Sequence, residues 1–229
     1  MRPGIGLLAP DGHITWLPRE LETGYLRAFS EGRAAIMVHE KWGYVDKEGL
    51  LRIAPRFLMA KDFSEGLAGV MLRGSTHFDT PGPMPLIDQY TLRCSVSERR
   101  GLGYSRWGYV NLSGKLVIQG RFAEVRGFHG GLAAARPVHA GTRRLERALS
   151  VRPAPPGETL PEVAAQWGYI DRAGEFSIRP RFVEAADFSE GLAAVACLSD
   201  RGKVRWGYID KSGTIAIKPR FGDARAFCG

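Results

Sequence analysis

One pattern of residues recurs along this chain at a fixed length, and that repetition limits the fold more than any other feature. The segments WGYVDKEGLLRIAPRFLMAKDFSEGLAGV from Trp42, WGYVNLSGKLVIQGRFAEVRGFHGGLAAA from Trp107 and WGYIDRAGEFSIRPRFVEAADFSEGLAAV from Trp167 each run 29 residues. A fourth copy, WGYIDKSGTIAIKPRFGDARAFCG, starts at Trp206. A degenerate fifth opens the chain: Gly6, Gly12 and Pro18 match Gly43, Gly49 and Pro55, and Phe29–Gly32 match Phe63–Gly66 after a three-residue insertion. The copies span about 5–36, 42–70, 107–135, 167–195 and 206–229, and together form one repeat domain over 1–229. A unit this short cannot bury its own apolar face, so neighbouring copies must complete the core.

Within each copy the periodicity is that of strands. Leu51/Ile53, Leu116/Ile118, Phe176/Ile178 and Ile215/Ile217 sit two apart, and the opening copy keeps Ile14/Trp16. Alternation of this kind marks an extended strand with one buried face. The x-x-Gly step before each pair, Lys211-Ser212-Gly213 in the last copy, supplies the positive φ of a tight hairpin. Gly-Leu-Ala-x-Val and Trp-Gly-Tyr-(Val/Ile)-Asp read as two further strands. Pro55, Pro180 and Pro219 end the third, because proline offers no N–H to a ladder. The paired phenylalanines that follow, such as Phe57 and Phe63, read as anchors of a compact or helical turn. Ala34, Ala68, Ala133 and Ala193 hold one small position, which implies close approach of a neighbouring strand. The expectation is an all-β chain of five tandem three-stranded β-meander repeats, in a curved array or propeller-like ring, with a β-solenoid as the alternative.

The Trp-Gly-Tyr-(Val/Ile)-Asp…Gly…Ile-x-Pro-x-Phe…Phe-Ser-Glu-Gly-Leu-Ala pattern resembles the WG-repeat family, mostly of bacterial proteins. The resemblance covers nearly the whole chain apart from two inserts. It implies a β-rich repeat protein and brings no shared catalytic residues.

The repeated residues divide between frame and function. Trp42, Trp107, Trp167 and Trp206 are expected as core pillars rather than an exposed aromatic ladder for sugars or bases. Asp46, Asp171 and Asp210, with Asn111 in the second full copy, are expected to cap turn amides. Arg56, Arg121, Arg181 and Arg220 precede the first Phe of each pair, and Arg19 holds that place in the opening copy. They read either as a salt bridge inside each copy, to the turn Asp or to Glu65 and Glu190, or as a row of guanidiniums suited to carboxylate or phosphate. They are the leading candidate binding set.

Two inserts, 71–106 and 136–166, fall at the same point of the unit, so both emerge on one rim. The second carries Arg143, Arg144 and Arg147, which extend the candidate set to a basic rim.

Net charge is +8, with Arg and Lys dispersed rather than held in one block. The three cysteines, Cys94, Cys197 and Cys228, form no CxxC pair, and the five histidines show no metal-ligand spacing. There is no GxxxxGK[ST] or GxSxG. The expected function is a non-enzymatic binding or scaffold module for a protein or an acidic ligand, without cofactor or metal; the alternative is nucleic-acid or other polyanion binding through the arginine-rich rim. No stretch reaches the roughly 18–20 apolar residues of a membrane span. The apolar patch Ile5–Pro10 is too short for a secretory signal, so a cytoplasmic location is expected.

Overall fold

The computed structural model describes residues 6–8, 14–18, 21, 25–73, 105–137, 166–199 and 202–224. Arg19, Cys94, Cys228 and the body of both inserts, with Arg143, Arg144 and Arg147, lie outside them.

The chain is all-β and antiparallel. A hairpin of β1 (Gly6–Leu8) and β2 (Ile14–Trp16) comes first. β3 (Ala34–Val38), β4 (Lys41–Val45) and β5 (Leu51–Phe57) form the next sheet, and bridges from Leu26 and Ser30 add residues 25–30 along β3. β6 (Met59–Ser64), β7 (Leu67–Leu72) and β8 (Arg106–Asn111) lead to β9 (Leu116–His129). The first half of β9 pairs with β8 and the second half with β10 (Leu132–Pro137), so one long strand passes from one four-stranded unit into the next. β11 (Trp167–Ile170) and β12 (Phe176–Phe182) finish that unit. The last unit is β13 (Glu184–Ser189), β14 (Leu192–Leu198), β15 (Val204–Asp210) and β16 (Ile215–Phe221).

Each full unit therefore has four strands where the sequence indicated three. The segment between the paired phenylalanines is not a turn but the opening strand of the next sheet. Phe63 and Phe188 face Ala68 and Ala193 across this pairing, after a register shift that breaks simple alternation. The tight turn leaving that strand is built by two successive residues at positive φ: Glu65 and Gly66 at 52° and 77°, and Glu190 and Gly191 at 50° and 81°. Two positive φ values make the primed turn whose twist suits a two-residue hairpin. The opening copy shows the same pair at Glu31 and Gly32.

The opening strands β6, β9 and β13 contact one another in succession, and the sheets form a propeller-like arrangement. The core lies between successive sheets. Tyr44, Ile53 and Phe57 of one sheet pack with Ala60, Phe63 and Val70 of the next, and Tyr109, Ile118 and Phe122 pack with Phe128, Ala133 and Ala135. Three tyrosines of the Trp-Gly-Tyr motif, Tyr44, Tyr109 and Tyr169, are wholly buried, and each hydroxyl crosses to the neighbouring opening strand. Tyr44, Tyr109 and Tyr169 donate to the carbonyls of Lys61, Arg126 and Ala186, all at 2.7 Å. Their rings meet Phe63, Phe128 and Phe188 at 4.8–4.9 Å between centroids.

The motif glycine has an equally specific cause. A Cβ on Gly43, Gly108, Gly168 or Gly207 would run into the carbonyl oxygen of Ile53, Ile118, Ile178 or Ile217 on the adjoining strand. The register shifts there, between the Trp and Tyr pairings, so the strands press together at the glycine.

The turn carboxylates cap as expected. Asp210 accepts the amides of Ser212 and Thr214 at 2.9 and 3.0 Å, and Asp171 those of Ala173 and Glu175. Asn111 does the same for Ser113 and Lys115 without a charge. The Ser212 hydroxyl and the turn amides hold the Asp210 carboxyl below the usual carboxylate range. Burial pushes Asp46 up, but the Leu50 amide and the Arg52 guanidinium outweigh it, and its carboxyl also lies low. A carboxyl depressed in the folded state adds stability above the unfolded value of about 4 and loses it as pH falls through the folded value. Asp210→Asn keeps the acceptor. Its melting temperature is expected to lie below that of the parent at neutral pH, with the gap closing as pH falls below the usual carboxylate range. A gap independent of pH in paired melts would contradict this assignment.

Candidate functional site

The repeated arginines are placed at the seams between copies. Arg56 donates through Nη2 to the carbonyl of Gly114 at 2.6 Å, and Arg181 to that of Gly213 at 2.5 Å. Arg121 does the same to Gly174 and adds Glu175 at 2.8 Å. Every acceptor is the turn glycine of the following copy. Each guanidinium also covers the phenylalanine beside it, at 5.0 Å for Phe57, 5.4 Å for Phe122 and 5.0 Å for Phe182. Among the described residues the expected partners Asp46 and Glu65 are met by other groups, Asp46 by Arg52 and Glu65 by the Gly131 amide. The end of the fourth strand abuts the neighbour's hairpin rather than its own. Among the described residues Arg220 has only the ring of Phe221, at 5.1 Å.

A second seam row lies at the primed turns. Glu31 accepts the Gly66 amide at 2.8 Å, and Glu65 accepts that of Gly131 at 2.9 Å. The Ser30 hydroxyl donates to the Phe63 carbonyl at 2.6 Å and Ser64 to that of Phe128. Repeated polar side chains thus tie copy to copy.

The opening strands meet over a concave surface. A cleft of about 320 Å³ is lined by Arg27, Ser30, Lys61, Asp62, Phe63, Ser64, Gly127 and His129. Arg27 and Asp62 form a two-bond pair at 2.8 and 3.0 Å. Lys61 donates to the Val125 carbonyl at 2.7 Å, and its ammonium lies 5.2 Å from the Trp107 ring. Burial pushes the Lys61 ammonium below its usual range, while Glu124 and Asp187 pull it up. His129 approaches Asp187 at 3.8 Å, one oxygen of which is buried without a hydrogen bond. Arg126 continues the cationic position of Arg27 and Lys61 and lies 5.3 Å from the Trp167 ring.

The sequence reading did not single out this cleft. The available signal was the residue two before the second Phe, which reads Arg27, Lys61 and Arg126 in successive copies before Ala186 interrupts it. Trp107 and Trp167 are buried, at 4% and 3% exposure, whereas Trp42 and Trp206 are half-buried. Burial raises the Cys197 thiol against a smaller opposite pull from Arg181, which leaves a weak nucleophile. Among the described residues no three His, Cys, Asp or Glu side chains are placed to hold a metal ion, and no helix is long and apolar enough to cross a membrane.

The family model described as the WG containing repeat matches residues 42–74, 107–136, 167–197 and 206–227. No curated protein sequence matches. Among solved structures, one titled as a crystal structure of the eukaryotic initiation factor shares 13% identity over 96% of this chain, with a TM-score of 0.49. A TolB structure from Agrobacterium tumefaciens shares 9% over 93%, with a TM-score of 0.42. The chain spans 50% of the first and 65% of the second.

Proposed function

The chain belongs to the WG-containing repeat family, and on that premise we propose that it is a non-enzymatic binding module that takes an acidic segment of a partner protein into the cleft between its opening strands. The observation that carries this reading is the cationic lining of the cleft: Arg27 and Lys61, one repeat position in successive copies, stand there with His129, whereas Arg56, Arg121 and Arg181 are taken up by turn carbonyls at the seams. Arg27 and Lys61 set two cationic groups, with the His129 ring beside them, against the single carboxylate of Asp62 in its lining. An entering carboxylate meets the half-buried Lys61 ammonium where water screens it poorly, which makes the attraction stronger than at open surface. Net charge of the whole chain, +8, favours encounter with acidic partners.

The test is fluorescence anisotropy with labelled oligoglutamate and oligolysine peptides. The parent is expected to bind oligoglutamate, more weakly at higher salt, and to ignore oligolysine. Arg27→Ala combined with His129→Ala is expected to weaken binding by about tenfold or more, as loss of charge-assisted bonds does. Equal affinity of parent and double variant would remove the cleft from the account. Tighter binding of a single-stranded oligonucleotide than of oligoglutamate would overturn the protein-segment reading in favour of a polyanion.

A further inference from the structure

Gly127, in the middle of β9, is a glycine that the fold does not require. Neither the positive φ that holds Gly66 nor the neighbouring backbone that holds Gly108 acts on it. A Cβ placed there would first meet side-chain atoms, His129 Nε2 at 3.3 Å and the Ser64 Cβ at 3.5 Å. A glycine inside a strand without such a cause marks a place where a ligand comes close.

Its position in the repeat says which ligand. Gly127 stands immediately before the second Phe of its copy, where Asp62 and Asp187 stand in the adjoining copies and Ala28 in the opening one. One seam earlier, Asp62 faces the cation of the copy before it, and Arg27 binds it with two bonds at 2.8 and 3.0 Å. Lys61 is the equivalent of Arg27 one copy on, and Gly127 is the equivalent of Asp62, so this cation meets a glycine in place of a carboxylate. Its ammonium turns to the Val125 carbonyl at 2.7 Å, which takes one of its three N–H donors. The same copy makes a second departure. His129 stands where Ser30, Ser64 and Ser189 stand, and its Nε2, 3.8 Å from Asp187, is also the atom nearest the Cβ position of Gly127. The two changes remove a carboxylate and set an imidazole beside the space it would fill. Lys61, Gly127 and His129 all line the cleft.

We propose that Gly127 makes the cleft a site for one side-chain carboxylate of the acidic segment, which takes the place that Asp62 and Asp187 hold in the adjoining copies and binds between Lys61 and His129. The inference rests on the cleft being the place of binding and adds the group that is recognised and the residue that admits it. Arg27 stays on Asp62 and neutralises it, so the entering carboxylate is not repelled.

Gly127→Asp supplies the carboxylate from the chain itself, and Gly127→Asn supplies the same shape without the charge. Gly127→Asp is expected to melt about 2–4 °C above Gly127→Asn at neutral pH. The difference is expected to vanish when Lys61→Met is added to both. Gly127→Asp is also expected to bind oligoglutamate about tenfold or more weakly than the parent. Competition on the parent needs no substitution: acetate is expected to displace labelled oligoglutamate where acetamide at the same concentration, with chloride matching the ionic strength, does not. Equal melting of Gly127→Asp and Gly127→Asn, with oligoglutamate bound by Gly127→Asp as by the parent, overturns the proposal and leaves the cleft as the binding place. Acetate acting no better than acetamide overturns it too, even where neither Gly127 variant folds. A parent that ignores oligoglutamate, with Gly127→Asp still melting above Gly127→Asn through Lys61, supports the carboxylate place and counts against the acidic segment instead.

Discussion

Trp167→Ala is expected to destabilise the protein by about 3–5 kcal/mol, the cost of emptying a large buried aromatic site. Trp167 is almost wholly buried and lies opposite Phe182. The guanidiniums of Arg126 and Arg136 lie over its ring at 5.3 and 5.8 Å, so removal also strips two cations of their aromatic contact. Trp107→Ala should cost as much, because it uncovers the half-buried Lys61 ammonium besides leaving a cavity. Each unit leans on its neighbours, so the damage should spread along the array. Trp42 and Trp206 are half-buried, and their alanine variants are expected to be milder. For a chain of this size the two larger losses correspond to a drop in melting temperature on the order of 10 °C. Four melting curves within a degree or two of the parent would overturn the reading of these residues as pillars.

Gly108→Ala is expected to cost about 3 kcal/mol, although it adds a single methyl group. The new Cβ would collide with the Ile118 carbonyl and with backbone atoms of Gln119 and Gly120. Backbone in a paired strand cannot step aside as a side chain can, so the seam between β8 and β9 must open. Gly222→Ala is the control: no atom lies within 4 Å of its Cβ position, and a change within about 0.5 kcal/mol is expected. Comparable losses at Gly108 and Gly222 in denaturant unfolding would contradict the close-approach account of the motif glycine.

Much of the frame was legible because a repeat shows each constraint several times. Asp210, Asp171 and Asn111 at one position before an x-x-Gly step told of a capped turn, and the turn is capped by those atoms. Of the alternating pairs, Ile53, Ile118 and Ile178 are buried as read, whereas Leu51 and Ile215, two residues before Ile53 and Ile217, are 40% and 49% exposed. The inserts do join the second and third strands of each unit, since β7 ends at Leu72 and β8 begins at Arg106, and β10 ends at Pro137 and β11 begins at Trp167. The opening strand was illegible for a physical reason. Its register slips between Ala60 and Phe63, and again between Ala185 and Phe188, so apolar residues fall three apart and mimic a turn. The role of Tyr44, Tyr109 and Tyr169 was not legible within one copy, because a hydroxyl on a buried ring needs an acceptor, and the acceptor lies on the next sheet. The arginine row was legible as a row and misread in its partner. An isolated guanidinium pattern does not say whether a carboxylate or a carbonyl will meet it. The cleft escaped altogether, because it is assembled across copies: Arg27 and Ser30, Lys61 to Ser64, and Gly127 with His129 come from three successive copies, and a pattern read along one copy does not show which side chains meet.

That distinction between seam and cleft is the centre of the account, and one paired measurement addresses it: melting and oligoglutamate affinity of Arg121→Met and Arg27→Ala, side by side. Arg121→Met leaves the Gly174 carbonyl without its donor and is expected to lose about 1–2 kcal/mol of stability with affinity unchanged. Arg27 and Asp62 are both exposed enough that their pair is worth at most about 1 kcal/mol, so Arg27→Ala should melt near the parent and bind several-fold more weakly. The reverse pattern, with Arg121→Met impairing binding at an unchanged melting temperature and Arg27→Ala binding as the parent does, would contradict it.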